Sequence, residues 1–231
     1  MANCITKHIP NTLTSCNLIS GCISVTYALG GSYEMALLFI IIGAVFDFFD
    51  GMSARLLGVS SPIGKELDSL ADDVTFGVAP SAMVFTLLYT SVLADKCPLI
   101  PYAAFVMAAF SALRLAKFNL DERQTTSFIG LPTPANALFW GALIVGCESF
   151  LTSSSAILIG VIIMLMVSCY LLIAEIPMFA LKFKQWGWKG NEVKYIFVLS
   201  CLPILLLFGI TGIAVIIAWY VLLSIVTMRR K

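Results

Sequence analysis

Four aspartates between residues 47 and 72 stand in a chain that is otherwise mostly hydrocarbon. The segment reads DFFDGMSARLLGVSSPIGKELDSLAD. Asp47 and Asp50 are three residues apart, Asp68 and Asp72 four apart, and Gly51, Ala54, Arg55 and Gly64 lie between the pairs. On a helix, steps of three, four, seven and eight return to one face. Positions 47, 50, 51, 54, 55 and 58 therefore present Asp, Asp, Gly, Ala, Arg and Gly together. Gly64, Asp68 and Asp72 repeat the design, while Asp73 is turned about 100° away. Two facing helices would offer four carboxylates around a space that glycine leaves open to a ligand. Carboxylates near a bilayer are costly and need a partner. Four negative charges balance two divalent cations, and an all-oxygen set without His or Cys suits Mg²⁺, Mn²⁺ or Ca²⁺ rather than zinc. Such a pair of cations holds a diphosphate, Arg55 adds a bidentate donor, and the lipid setting suggests a lipid-linked one. Capping, or pairing with Lys65, Arg55 and Arg114, would explain one such aspartate more easily than four.

The elements that must position these groups are membrane helices. Of 231 residues 60% are apolar and only 12% charged, with a net charge of +1 and a mean hydropathy of +0.98. A water-soluble domain carries far more charge, and nothing in this balance suggests nucleic acid. Eight apolar segments, about 12–31, 34–57, 66–92, 98–117, 133–150, 154–182, 192–208 and 211–228, suit spanning helices. This predicts an all-α, polytopic integral membrane helical bundle forming one membrane domain over 1–231. Its catalytic core lies at 34–182, and a C-terminal helical hairpin at 192–231. Seven cysteines lie scattered without a CxxC pair and read as small buried hydrophobes. The start lacks a long apolar core and cleavage site, so no signal peptide is expected.

Direction follows from Lys and Arg. With the N-terminus in the cytoplasm, all of the 14 Lys and Arg except Lys96 fall on the inner side. The expected location is the plasma membrane, with both termini and the aspartates facing the cytosol. Lys182 to Lys194, with Trp186 and Trp188, reads as an interfacial belt. His8 lies in the N-terminal tail, where catalysis is not expected, and Glu175 stands before Pro177 without an assigned role.

Every position of the pattern Asp-x-x-Asp-Gly-x-x-Ala-Arg, eight residues, Gly, three, Asp, three, Asp is filled here, by Asp47, Asp50, Gly51, Ala54, Arg55, Gly64, Asp68 and Asp72. The chain thereby resembles the CDP-alcohol phosphotransferase family. PNTLTSCNLISG near the start, LDSLADDVTFGVAPS, RLAKFN at 114–119 and SFIGLPTPA at 127–135 resemble the branch whose acceptor is L-serine. The resemblance implies the family's fold, a homodimer, and transfer of a phosphatidyl group from CDP-diacylglycerol to the serine hydroxyl with release of CMP. It implies two divalent cations, Mg²⁺ or Mn²⁺. Asp47, Asp50 and Asp68 would hold one; Asp68 and Asp72 would contribute to the other. Gly51, Ala54, Arg55 and Gly64 would line the cytidine and phosphate pocket. Asp72 would be the general base for direct attack.

A serine acceptor brings a carboxylate, for which Arg114, Lys117 and Arg123 are candidates; otherwise they are topology-setting charges. Asn17, in the apolar first span, either reaches the nucleotide or makes an interhelical hydrogen bond. Three rivals remain: a sister enzyme using glycerol 3-phosphate or an inositol phosphate, an intramembrane prenyltransferase, and a divalent-cation transporter. Prenyltransferases separate their acidic motifs onto distant spans, and a transporter needs a continuous polar path that no later span supplies.

Overall fold

The computed structural model of the chain describes residues 8–59, 61–121, 128–179, 187 and 191–228. Helices α1 (Ile9–Leu29) and α2 (Tyr33–Leu57) form an antiparallel hairpin. The next rod is α3 (Pro62–Asp72), one π-helical stretch (Asp73–Val78) and α4 (Ala79–Tyr89). A short α5 (Val92–Lys96) and a 3₁₀ turn (Ile100–Phe105) lead into α6 (Val106–Leu120). Then come α7 (Thr133–Leu151), α8 (Ser155–Ile173), α9 (Glu192–Phe208) and α10 (Thr211–Met228). All eight expected apolar segments form helical rods. Six of them, Ile9–Leu29, Tyr33–Leu57, Pro62–Tyr89, Ile100–Leu120, Thr133–Leu151 and Ser155–Ile173, are long and apolar enough to cross a membrane. The apolar run of α10 is shorter, and α9 has 17 residues with Pro203 inside. The fold is thus an all-α multi-pass membrane bundle.

Local chemistry explains the breaks. Gly31, at φ 76, turns α1 into α2. Gly58, at φ 63, ends α2 in the left-handed conformation that glycine adopts without a Cβ penalty. Pro62 opens α3, and the Ser61 hydroxyl accepts the Gly64 N–H at 3.0 Å, capping it.

One boundary needs correction. The sixth span, expected over 154–182, ends at Ile173. Ala174 turns extended, at ψ 140, because Pro177 cannot donate and disfavours a helical Ile176. The chain instead pairs antiparallel over two residues, β1 (Phe128–Ile129) with β2 (Pro177–Met178), the only strands among the described residues. Gly130 N–H donates to the Ile176 carbonyl and Leu131 N–H to that of Leu171, both at 2.9 Å. Gly130 has φ 76, and a Cβ there would lie 2.7 Å from the Leu172 carbonyl oxygen. The GLPTP segment therefore does more than start α7; it fastens the end of α8.

Lipid is as apolar as a leucine side chain, so helices associate by close packing of small residues and by hydrogen bonds. Gly21, Ser24 and Ala28 of α1 are buried, as are Ala36, Ile40 and Gly43 of α2. Ser24 donates to the Ala36 carbonyl at 2.8 Å. Nearly all of α4 is buried, as an evenly apolar helix should be. Trp140 of α7, fully buried, donates its indole N–H to Ser168 of α8 at 3.1 Å.

Candidate active site

Two rods carry the aspartates. Asp47 and Asp50 stand on the second half of α2, Asp68 and Asp72 on α3. At 1.5 Å per residue, Asp50 is about 10 Å in from the end of α2. One carboxylate oxygen each from Asp47, Asp50 and Asp68 lies within 4.8 Å of the others. Asp50 is buried, at 6% exposure, and Oδ1 of Asp68 is buried without a hydrogen-bond partner among the described residues. Three anionic oxygens this close repel one another unless a cation sits between them. An all-oxygen donor set with one buried oxygen unsatisfied fits a hard divalent ion.

Asp72 stands outside that trio, within Coulombic reach of Asp47 and Asp68. Its Oδ1 accepts a hydrogen bond from Asn17 Nδ2 at 3.0 Å. Asn17 was expected either at the nucleotide or in an interhelical bond; its amide nitrogen makes the latter. The Asn17 carbonyl accepts the Thr75 hydroxyl at 3.0 Å, so α1 is tied to the π-helical stretch at the same level. Asp73 turns elsewhere: its Oδ1 and Ser111 both lie against Gly77.

Sequence reasoning missed Thr14. Its hydroxyl donates to Asp50 Oδ2 at 2.6 Å, the length of a charge-assisted bond. The available signal was spacing, since Thr14 and Asn17 are three apart and share a helix face.

On the Asp50 and Asp68 side opens a cleft of about 650 Å³, lined by Asn11, Thr14, Gly51, Ala54, Gly64 and Lys65 among others. A Cβ at Gly51 would meet nothing within 4 Å, whereas at Gly64 it would lie 3.0 Å from Asn11 Oδ1. Arg55 stands exposed in the last turn of α2, beside that face.

A second, smaller cavity of about 40 Å³ lies between α6 and the end of α8, lined by Arg114, Lys117, Asp121, Ile129, Leu172 and Glu175 among others. Arg114 is 7% exposed, its guanidinium carbon is 5.7 Å from the Phe118 ring centre, and its Nε has no hydrogen-bond partner among the described residues. It lies within Coulombic reach of Asp72 and Tyr220. The structure therefore brings Arg114 and Lys117 to one cavity, while Arg123 lies outside the described residues, as do Trp186 and Trp188. His8 is exposed at the start of α1.

The molecule is a multi-pass membrane helical bundle with three clustered carboxylates, a wide cleft lined by two of them and a small cavity lined by charged side chains. The family model for CDP-alcohol phosphatidyltransferase matches residues 7–227, and the chain belongs to that family of membrane transferases. It is 42% identical over 130 residues to the CDP-diacylglycerol–serine O-phosphatidyltransferase of Bacillus subtilis, covering 55% of this chain and 70% of that protein. The protein of that name from Helicobacter pylori is 38% identical over 131 residues, 56% of this chain and 54% of its own length. That of Methanocaldococcus jannaschii is 35% identical over 155 residues, 67% of this chain and 69% of its own.

Proposed function

We propose that the chain transfers the phosphatidyl group of CDP-diacylglycerol to the hydroxyl of L-serine and releases CMP. The observation that carries this reading is the trio Asp47, Asp50 and Asp68, with Asp72 beside it, between a nucleotide-sized cleft and a cavity walled by Arg114 and Lys117. The activity for which the relatives are named agrees with it.

The wide cleft takes the CDP headgroup, with Gly51, Ala54 and Gly64 letting phosphates approach the backbone and Arg55 closing from the rim. Two divalent cations, Mg²⁺ or Mn²⁺, held by Asp47, Asp50 and Asp68 with Asp72, would neutralise the diphosphate and the departing CMP. Asn17 holds the Asp72 carboxylate in one orientation. Asp72 takes the serine hydroxyl proton as the serine oxygen bonds to the diacylglycerol-side phosphorus. The phosphorus–oxygen bond to CMP breaks, and the proton passes to water. Arg114 and Lys117 hold the serine carboxylate, with Arg123 a further candidate. The reaction runs on the cytoplasmic face of the plasma membrane, in a single membrane domain whose core is 34–182 and whose last pair of helices, 192–231, forms a hairpin. Two copies assemble as a homodimer.

Purified protein given CDP-diacylglycerol with radiolabelled serine, glycerol 3-phosphate or an inositol phosphate in turn tests the acceptor. Labelled phosphatidylserine is expected. Label carried into lipid from glycerol 3-phosphate alone would assign the chain to a sister reaction.

A further inference from the structure

The small cavity carries both signs of charge. Arg114 forms its buried wall, and Lys117 stands exposed on the same side of α6. Asp121 and Glu175 bring carboxylates to the same space. Both residues already make contacts of their own, and their carboxylates are poor neighbours for a phosphate or a lone carboxylate. An α-amino acid carries an ammonium and a carboxylate on one carbon and so matches both pairs.

Two further observations indicate a ligand. Arg114 is more than nine-tenths buried, and its Nε has no hydrogen-bond partner among the described residues. A buried donor left unsatisfied is costly, and an acceptor's carboxylate would satisfy it. The cavity, at about 40 Å³, has room for roughly three water molecules, the bulk of a small amino acid. Glu175 is also placed by design. The chain leaves α8 at Ala174, and the Gly130 N–H to Ile176 carbonyl bond fastens the backbone just after Glu175.

We propose that Glu175, with Asp121, receives the ammonium group of the acceptor while Arg114 and Lys117 receive its carboxylate, so that this cavity selects an amino-acid zwitterion over an anionic acceptor. The inference rests on the acceptor reading above and deepens it. Glu175 is then a specificity-determining residue: the hydroxyl chemistry does not need it, but the choice of acceptor does.

The test compares wild-type protein, loaded with Mg²⁺ or Mn²⁺, and Glu175→Gln on CDP-diacylglycerol with three acceptors: serine, 3-hydroxypropionate (serine without its amine) and glycerol 3-phosphate. Wild type should use serine at least roughly tenfold better than 3-hydroxypropionate, the worth of one hydrogen bond to a charged group. Glu175→Gln should raise the serine KM by roughly tenfold or more, leave the lipid KM unmoved and narrow the gap between serine and 3-hydroxypropionate. Glu175→Asp, which keeps the charge, should retain more serine affinity than Glu175→Gln. An unchanged serine KM in Glu175→Gln overturns the assignment. So does a wild type that uses 3-hydroxypropionate as well as serine, a result that needs no variant to fold. A wild type that uses glycerol 3-phosphate and ignores serine instead sinks the acceptor reading itself.

Discussion

Asp50 and Asp72 are each held by one α1 side chain, and the two bonds do different work. The 2.6 Å bond from Thr14 fixes one oxygen of Asp50, a carboxylate of the trio. Partners behind a metal-binding carboxylate commonly set metal affinity by tenfold or more. Thr14→Val, close in shape but without the hydroxyl, should therefore raise the Mn²⁺ concentration for half-maximal activity roughly tenfold or more, and Thr14→Ser should reverse it. An unchanged metal titration would separate Thr14 from the cation site. At Asp72 the expected effect falls on turnover. Asp72→Asn should lower kcat by roughly 10²–10⁴ while the protein still binds CDP-diacylglycerol. Asn17→Leu should lower kcat less, through the lost 3.0 Å bond, with the lipid KM little changed. Normal turnover in Asp72→Asn would remove it as the base.

The rod Pro62–Tyr89 sets where these side chains stand. Its π-helical stretch pushes Thr75 against α1 and α2, so closely that a Cβ at Gly21 would collide with the Thr75 hydroxyl and backbone. A Cβ at Gly43 would come to 2.5 Å from Thr75 Cγ2 and 2.9 Å from Asn17 Oδ1. The glycines of α1 and α2 thus act as sockets for the π turn, and π turns in helices often mark functional sites. Gly43→Ala should destabilise by about 1–3 kcal/mol and lower the melting temperature in detergent by several degrees. Thr75→Ser removes the clashing methyl, so the double variant should recover part of that loss. No recovery would mean that the strain lies elsewhere along α2.

At the scale of the molecule, the helices place the α2–α3 turn, the end of α6 and the start of α7 at one end, with Cys97 in the short stretch after α5 at the other. Lys65 Nζ donates to the Asn119 carbonyl at 3.0 Å, and Asn119 Nδ2 to the Ser69 hydroxyl at 2.7 Å, joining α3 to α6 at the first of these ends. If the positive charges face the cytosol, Cys97, which is exposed, faces outward. In a variant retaining Cys97 as its sole cysteine, a membrane-impermeant maleimide should label intact cells. Labelling only after permeabilisation would reverse the orientation.

Much of this protein is legible along the chain because the signals are local. Length and hydropathy mark the rods, and glycine and proline mark the turns at Gly31, Gly58 and Pro62. Helical spacing alone puts Asp47 with Asp50, and Asp68 with Asp72, on shared faces. The early end of α8 was harder to read, since apolar composition runs on past the point where Pro177 and the Gly130 loop end the helix. What the chain order leaves open are meetings between residues dozens of positions apart. Thr14 with Asp50, Asn17 with Asp72, and Arg114 with Glu175 come together only when α1, α6 and the end of α8 dock around α2 and α3. The same docking brings Asp68 of α3 to Asp47 and Asp50 of α2 and seats Thr75 against Gly21 and Gly43, and no periodicity in the sequence records that.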